Sequence, residues 1–315
     1  MPNKKLELGQ FFTVNDIWKS SAVANFIGNP SLVVDPFAGN GDLLKHFSSM
    51  TQGYDIDASL GWYHNDSLRS IPRHDDAVCV TNPPYLSKNS ATRKKLTMAT
   101  SYFVEFPKFE DLYEIAINRC LHSFDKVVAI IPETFTTTNR FKERLVAVDI
   151  LEDNPFADTE CPVLVGCWGK EPYSDFDVYK NGSYIAPYSE IHGHGAFPKQ
   201  GVSVRFNVKG GNLGLIGIDG TGADNKIRFC DPSEISDDEI KVSSRARSKI
   251  QVDTEIHIER LIERANAVLV EYRNKTADIC LSPFKNNAKD GSRRRRLDFA
   301  LAKGMIYQAL NDLSV

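Results

Sequence analysis

The sequence predicts an α/β protein, with a doubly wound, largely parallel sheet in its first half and an irregular β-plus-helix region after it. Three observations lead there. Between about residues 30 and 170, short apolar runs alternate with amphipathic stretches, the interval expected of strands and helices in a parallel sheet. Polar segments holding Asp35, Asp55 and Asn82 each follow an apolar run directly, which puts them at carboxyl strand ends, where ligands of such sheets sit. After about residue 171 the pattern breaks into glycine-rich pieces of alternating character.

Taken in order, Ser31 to Val34 is a strand closed by Asp35-Pro36. Gly41 to Met50 reads as a helix, because Leu43, Leu44 and Phe47 share helical spacing. A second strand ends near Tyr54-Asp55, and Ala77 to Val80 is a third, stopped by Asn82-Pro83-Pro84. Glu110 to His122 is helical, with Leu112, Ile115, Ala116 and Cys120 on one face. Val127 to Ile131 and Pro162 to Trp168 are buried-type strands. Beyond 171, Val202 to Phe206 alternates like a strand. Helices are expected over about 253–273, with Ile258, Leu261, Ile262, Ala265, Leu269 and Tyr272 on the apolar face, and over about 296–312.

The 315 residues suffice for one large or two modest domains, and 42% hydrophobic with 25% charged content is ordinary for a soluble protein. A net charge of -3 gives no whole-molecule sign of a polyanion partner, although it leaves room for a local basic face. No apolar run suggests a signal peptide or a membrane span. The six cysteines show no zinc spacing, so a reduced, cytoplasmic, metal-independent chain is expected. His192 and His194 lack a third ligand, and the Cys161 and Cys167 pair reads as one face of a strand.

The strongest chemical signal is Thr81-Asn82-Pro83-Pro84-Tyr85 after a buried strand. An aromatic amino nitrogen is a poor nucleophile because its lone pair is delocalised into the ring. The Asn82 side-chain oxygen and the Pro83 carbonyl can each accept one N–H, which favours a tetrahedral nitrogen and holds the positive charge that grows on it. The prolines make the turn rigid, and Tyr85 offers a face for stacking a base. In Asp35-Pro36-Phe37-Ala38-Gly39-Asn40-Gly41, an acid at a strand end precedes Gly-x-Gly, which permits close approach of a nucleoside cofactor but lacks full dinucleotide spacing. Asp55, at the next strand end, can accept from both ribose hydroxyls. Asp57 would point the other way, and Asp66 is placed to accept from an adenine amino group.

In this order the pieces resemble the gamma class of DNA adenine-N6 methyltransferases, over about residues 6–170. Gly9-Gln10-Phe11-Phe12-Thr13 is similar to the N-terminal motif around the methionine end of S-adenosylmethionine, although Val14 stands where family members often have Pro. The resemblance implies cofactor contacts from Phe11, Thr13, Asp35, Ala38, Gly39, Gly41, Asp55, Ile56, Asp66, Ser67 and Asn82. It implies catalytic roles for Asn82, Pro83 and Tyr85. Pro155-Phe156-Ala157-Asp158 resembles the later motif, so Phe156 and Tyr85 would stack on the flipped target base. The implied fold is the class I methyltransferase (Rossmann-like) sheet with its last strand antiparallel. Residues 1–170 would be the catalytic domain and 171–315 a DNA target-recognition region, although the latter matches no known recognition domain.

The resemblance implies double-stranded DNA as partner, and such an enzyme needs cations for its phosphates. Three clusters offer them: Lys88, Arg93, Lys94 and Lys95; Lys241 to Lys249 with Arg245 and Arg247; and Lys285 to Arg296 with Arg293 and Arg294. The first follows the catalytic turn directly and is the preferred contact. A monomer is expected, with a cognate restriction endonuclease as a functional rather than physical partner. The alternatives are methylation of RNA or of a protein glutamine, and a non-catalytic nucleic-acid-binding module on a degenerate methyltransferase fold.

Overall fold

A computed structural model describes residues 20–152, 155–156, 161–199, 201–222, 225–240 and 245–314. Phe11, Thr13 and the rest of the N-terminal motif lie outside them, as do Ala157, Asp158 and Lys241. The chain forms two compact units, residues 1–187 and 188–315. The first therefore extends beyond the expected boundary near 170.

The first unit is built on β1 (Leu32–Asp35), β2 (Met50–Asp55), β3 (Tyr63–His64), β4 (Ala77–Thr81), β5 (Lys126–Pro132), β6 (Leu145–Leu151), β7 (Val163–Trp168), β8 (Asp177–Lys180) and β9 (Ser183–Pro187). Their order across the sheet is β3-β2-β1-β4-β5-β7-β6-β8-β9. Strands β1 to β5 pair in parallel, whereas β7 runs antiparallel between β5 and β6. Strands β4 and β7 are buried throughout, as expected of a sheet covered on both faces. Among the described residues four helices accompany them: α1 (Ser21–Ile27), α2 (Lys88–Arg93), α3 (Thr97–Glu105) and α4 (Leu112–Ser123). Asp111 caps α4 by accepting from the Tyr113 N–H, and Leu112, Ile115, Ala116 and Cys120 are buried as their spacing predicts.

Several expectations are corrected. Gly41 to Met50 is no helix: only a single 3-10 turn, Leu44–His46, forms there. Gly39 and Gly41 take positive φ of 52° and 76°, and Phe47 is already extended at φ -107° and ψ 132°, so helical geometry stops before β2 begins at Met50. Leu43 and Leu44 are buried all the same, which explains their spacing. The sheet continues past the antiparallel β7 and its partner β6, with β8 parallel to β6 and the last strand, β9, antiparallel to β8. Cys161 precedes β7 and does not share a strand face with Cys167.

The second unit contains α5 (Tyr188–Gly193), a four-stranded sheet ordered β10-β13-β11-β12, a two-stranded ribbon and two long helices. The sheet strands are β10 (Val204–Phe206), β11 (Leu213–Ile216), β12 (Arg228–Cys230) and β13 (Arg247–Val252), all antiparallel. Helices α6 (Ile258–Thr276) and α7 (Phe299–Leu313) bury Leu261, Ala265, Leu269, Met305 and Ile306 in one core with Leu213, Phe229 and Ile250 of the sheet. Between those helices the ribbon pairs β14 (Ser282–Asn287) with β15 (Arg293–Arg296). No helix among the described residues is long and apolar enough to cross a membrane.

Candidate active site

The first unit's sheet reverses its strand order at β1 and β4, since β1 lies between β2 and β4. That reversal opens a crevice beyond the carboxyl strand ends. A cavity sits there, and its walls bring the predicted motifs together: Asp35 from β1, Ala38 and Gly39 from the glycine loop, Asp55 and Ile56 after β2, Asp66 and Ser67, and Asn82 after β4. Four carboxylates line it, those of Asp35, Asp42, Asp55 and Asp66, and among the described residues no lysine or arginine does.

Asp42 accepts from Lys45 at 2.6 Å, and the other three acids are held from within the site. Asp35 Oδ1 accepts from the Thr81 hydroxyl at 2.7 Å and from the Phe37 N–H at 2.9 Å, tying the ends of β1 and β4. Burial dominates its chemistry and lifts its pKa from 3.8 to about 7, against the pull of those two hydrogen bonds, with nearby Asp55 adding to the rise. Asp55 Oδ2 accepts the Gly39 N–H at 3.0 Å, so the acid positions the glycine loop, while its Oδ1 accepts the Asp57 N–H. Asp57 itself turns away and caps the 3-10 turn Ala58–Leu60. Asp66 Oδ2 accepts from the Tyr102 hydroxyl and from Arg69, both at 3.0 Å. Its Oδ1 is buried with no hydrogen-bond partner among the described residues. A buried acceptor without a donor is costly unless a ligand supplies one.

Gly41 does not line the cavity, and its requirement is steric. A Cβ at Gly41 would sit 2.6 Å from the Trp62 ring, and one at Gly53 would sit 2.5 Å from it. The Trp62 indole N–H also donates to the Gly39 carbonyl at 2.8 Å. Trp62 thus backs the loop, a role the local motifs did not reveal. Tyr102, on α3, is a second residue missed, because nothing in its neighbourhood of sequence resembles a site. Phe37, Asn40, Asp42, Leu43 and Pro84 are among the further lining residues from within or beside the motifs.

The Asn-Pro-Pro-Tyr turn holds a correction. Tyr85 is 9% exposed and is not among the lining residues, so its ring offers the cavity no stacking face in this conformation. Its hydroxyl lies 2.6 Å from Asn82 Oδ1 and 2.8 Å from the Ile130 carbonyl of β5. Phe156 lies beside it edge-to-face, with centroids 6.3 Å apart and planes at 65°. Behind the turn, Asp111 accepts the Leu86 N–H, which pins the chain after Tyr85 to the start of α4.

The basic clusters fare unequally. Arg93, Lys94 and Lys95 are exposed at and after the end of α2, and Lys88, half-buried, lies 3.8 Å from Glu110. Arg245 is exposed, whereas Arg247 pairs with Glu239. The arginine run is divided: Arg293 is buried and donates to Asn287 Oδ1, while Arg294, partly exposed, donates to the Asp219 carbonyl and covers the Phe284 ring. Arg293 is therefore not an open surface cation of the kind that phosphate contact requires, and Arg294 is engaged from within its own unit. Among the described residues no group of three His, Cys, Asp or Glu is arranged to hold a metal ion.

No family model matches the chain, and no curated protein does. Among solved structures it is similar to the methyltransferase subunit of a type I restriction-modification system from Streptococcus thermophilus. Identity is 15% and the TM-score 0.39, over 61% of this chain and 49% of that one. The type IIG restriction endonuclease BpuSI gives 14% identity and a TM-score of 0.39, over 54% of this chain and 27% of that one. The type IIL restriction-modification enzyme MmeI, solved with DNA, gives 12% and 0.37, over 58% and 36%. The chain thus spans half or less of the length of these structures. At such TM-scores the function has to be argued from the cavity.

Proposed function

We propose that this chain is an S-adenosylmethionine-dependent methyltransferase acting on an exocyclic amino nitrogen, with a flipped-out adenine N6 of double-stranded DNA as its target. The observation that carries the reading is a cavity at the β1/β4 reversal whose lining among the described residues includes four carboxylates and no lysine or arginine, with Asn82 in its wall. A triphosphate or dinucleotide would bring its phosphates against those acids. A ligand carrying a sulfonium and an ammonium is attracted to them, and its hydroxyls and amino group need acceptors.

The residues present fit that cofactor. Asp55 would hold the ribose hydroxyls, the unpartnered Asp66 Oδ1 would accept from the adenine amino group, and Asp35 would face the cationic end. Tyr102 and Arg69 hold Asp66 from behind. When bound, the cofactor supplies an electrophilic methyl carbon whose sulfonium charge makes it transferable. This chain's part is to present the nucleophile: Asn82 Oδ1 and the Pro83 carbonyl would accept the two N–H groups out of the base plane and hold the positive charge that develops on nitrogen. No base is required before attack, because the nitrogen loses its proton readily once alkylated. Arg93, Lys94 and Lys95, exposed just after this turn, are the proposed phosphate contacts, with a flipped base as the access route.

Labelled S-adenosylmethionine incubated with DNA, RNA and a release factor tests the reading. Label entering DNA, recovered as N6-methyladenine, is the expected outcome. Label confined to RNA or to a protein glutamine would remove the DNA assignment, and binding of the cofactor without any transfer would support the non-catalytic alternative. Single-molecule sequencing of DNA from expressing cells would then show the methylated context.

A further inference from the structure

We infer that the Tyr85 hydroxyl is a positioning group that fixes the direction of the Asn82 carboxamide by bridging it to strand β5. This rests on the methyltransferase reading for its catalytic meaning, and on hydrogen-bond geometry for its existence.

The phenol oxygen stands 2.6 Å from Asn82 Oδ1 and 2.8 Å from the Ile130 carbonyl oxygen. Both neighbours are acceptors and Tyr85 has one proton, which it shares between them. Ile130 is fully buried at the centre of β5, whose pairing with β4 and β7 makes it a rigid anchor. An asparagine side chain turns about two bonds, and the second of these is broad. A donor at 2.6 Å from Oδ1 restricts both. A carboxamide oxygen accepts in its own plane along two directions. With Tyr85 fixing one, the other is fixed too, and Asn82 lies in the cavity wall. Burial pushes the Tyr85 phenol well above its ordinary range, so it remains a donor at every working pH.

The bridge assigns Tyr85 a different task from base stacking. Its ring is buried, stands edge-on to Phe156 and does not line the cavity. The two tasks separate cleanly by substitution, because Tyr85→Phe keeps the ring and deletes the hydroxyl, whereas Tyr85→Leu removes both. If the hydroxyl positions Asn82, Tyr85→Phe lowers kcat roughly ten- to a hundred-fold, the scale of a misplaced reacting group, and Tyr85→Leu falls little further. The Kd for S-adenosylmethionine stays within about two-fold in both, since Tyr85 is not among the described residues that line the acid-bearing cavity. Near wild-type turnover in Tyr85→Phe with a collapse in Tyr85→Leu would overturn the inference in favour of stacking.

A second measurement needs no activity. In protein labelled with 15N at asparagine, the Asn82 side-chain amide is identified by its loss in Asn82→Ser. Its resonances should shift and lose protection from solvent exchange in Tyr85→Phe, while other asparagine amides hold their positions. An unmoved Asn82 pair would overturn the bridge whatever the enzyme does. Absence of methyl transfer by the wild-type chain, with the Asn82 shift present, would instead bring down the parent reading and leave the bridge standing.

Discussion

At the scale of single residues, Asn82 and Asp35 carry the sharpest consequences. Asn82→Ala removes an acceptor that matters most once charge has built on the nitrogen, so kcat should fall about 10²–10³-fold, the usual cost of losing one transition-state hydrogen-bonding group. Cofactor affinity should change little. Single-turnover methylation beside equilibrium titration would read the two separately, and a comparable loss in both would reassign Asn82 to cofactor binding. Asp35 gives a pH dependence. Burial lifts it from 3.8 to about 7, so between those values the folded chain holds a proton that the unfolded chain has released. Its contribution to stability is complete below pH 3.8 and is lost as pH rises through about 7. A cation bound beside Asp35 favours the carboxylate and reverses the shift. Binding of S-adenosylmethionine near pH 6.5 should therefore release a fraction of a proton, and Asp35→Asn should abolish that release. Calorimetry in buffers of different ionisation enthalpy measures it, and an equal release in the variant would place the proton elsewhere.

At the scale of elements, what was legible in the sequence depended on whether the signal was local. Strand ends marked by Asp35, Asp55 and Thr81-Asn82 were readable because an apolar run followed by a turn-forming acid or proline has few other solutions. The segment after Gly41 misled because Leu43, Leu44 and Phe47 satisfy helical spacing within one 3-10 turn. Trp62 and Tyr102 reach the site through contacts made in space, with Gly39 and Asp66 respectively, and no local pattern marks them. The arginine run misled for a related reason, since charge density along a sequence does not reveal which face a strand buries. On β15 the alternation puts Arg293 and Arg295 inside. Beside them Arg273 of α6 grips the buried Asp219 through both terminal nitrogens at 3.1 Å and also bonds Asp278. Burial alone would lower the Arg273 guanidinium, but the Asp278 and Asp219 carboxylates outweigh it and hold it above its ordinary value. Arg273→Ala strands a buried carboxylate and should cost about 3–5 kcal/mol, seen as a lower unfolding midpoint. Lys94→Ala and Lys95→Ala should leave that midpoint in place and flatten the salt dependence of DNA affinity. The opposite pattern would return the arginine run to the DNA surface.

At the scale of the whole molecule, net charge and local field point in different directions. The chain carries a formal charge of only -3, yet every charged side chain that lines the motif-built cavity among the described residues is an acid. Average composition could not show this, because Asp35, Asp42, Asp55 and Asp66 are gathered only when β1, β2 and β4 come side by side. Such a cavity sorts ligands by charge. S-adenosylmethionine carries a sulfonium that S-adenosylhomocysteine lacks, while ATP keeps the adenosine and adds several negative charges. If the carboxylates govern selection, affinity should run from S-adenosylmethionine through S-adenosylhomocysteine to ATP, with ATP at least about a hundred-fold weaker than the first, a difference of about 2.7 kcal/mol. Salt should compress the ranking only modestly, because charges inside a cavity are less screened than exposed ones. Asp66→Asn should weaken all three ligands together by removing an acceptor for the shared adenine amino group. Asp35→Asn should instead narrow the gap between the charged and uncharged sulfur ligands. Equal binding of ATP and S-adenosylmethionine would mean that the acids face away from the ligand, and the cavity would then have to be read as a nucleotide site of another kind.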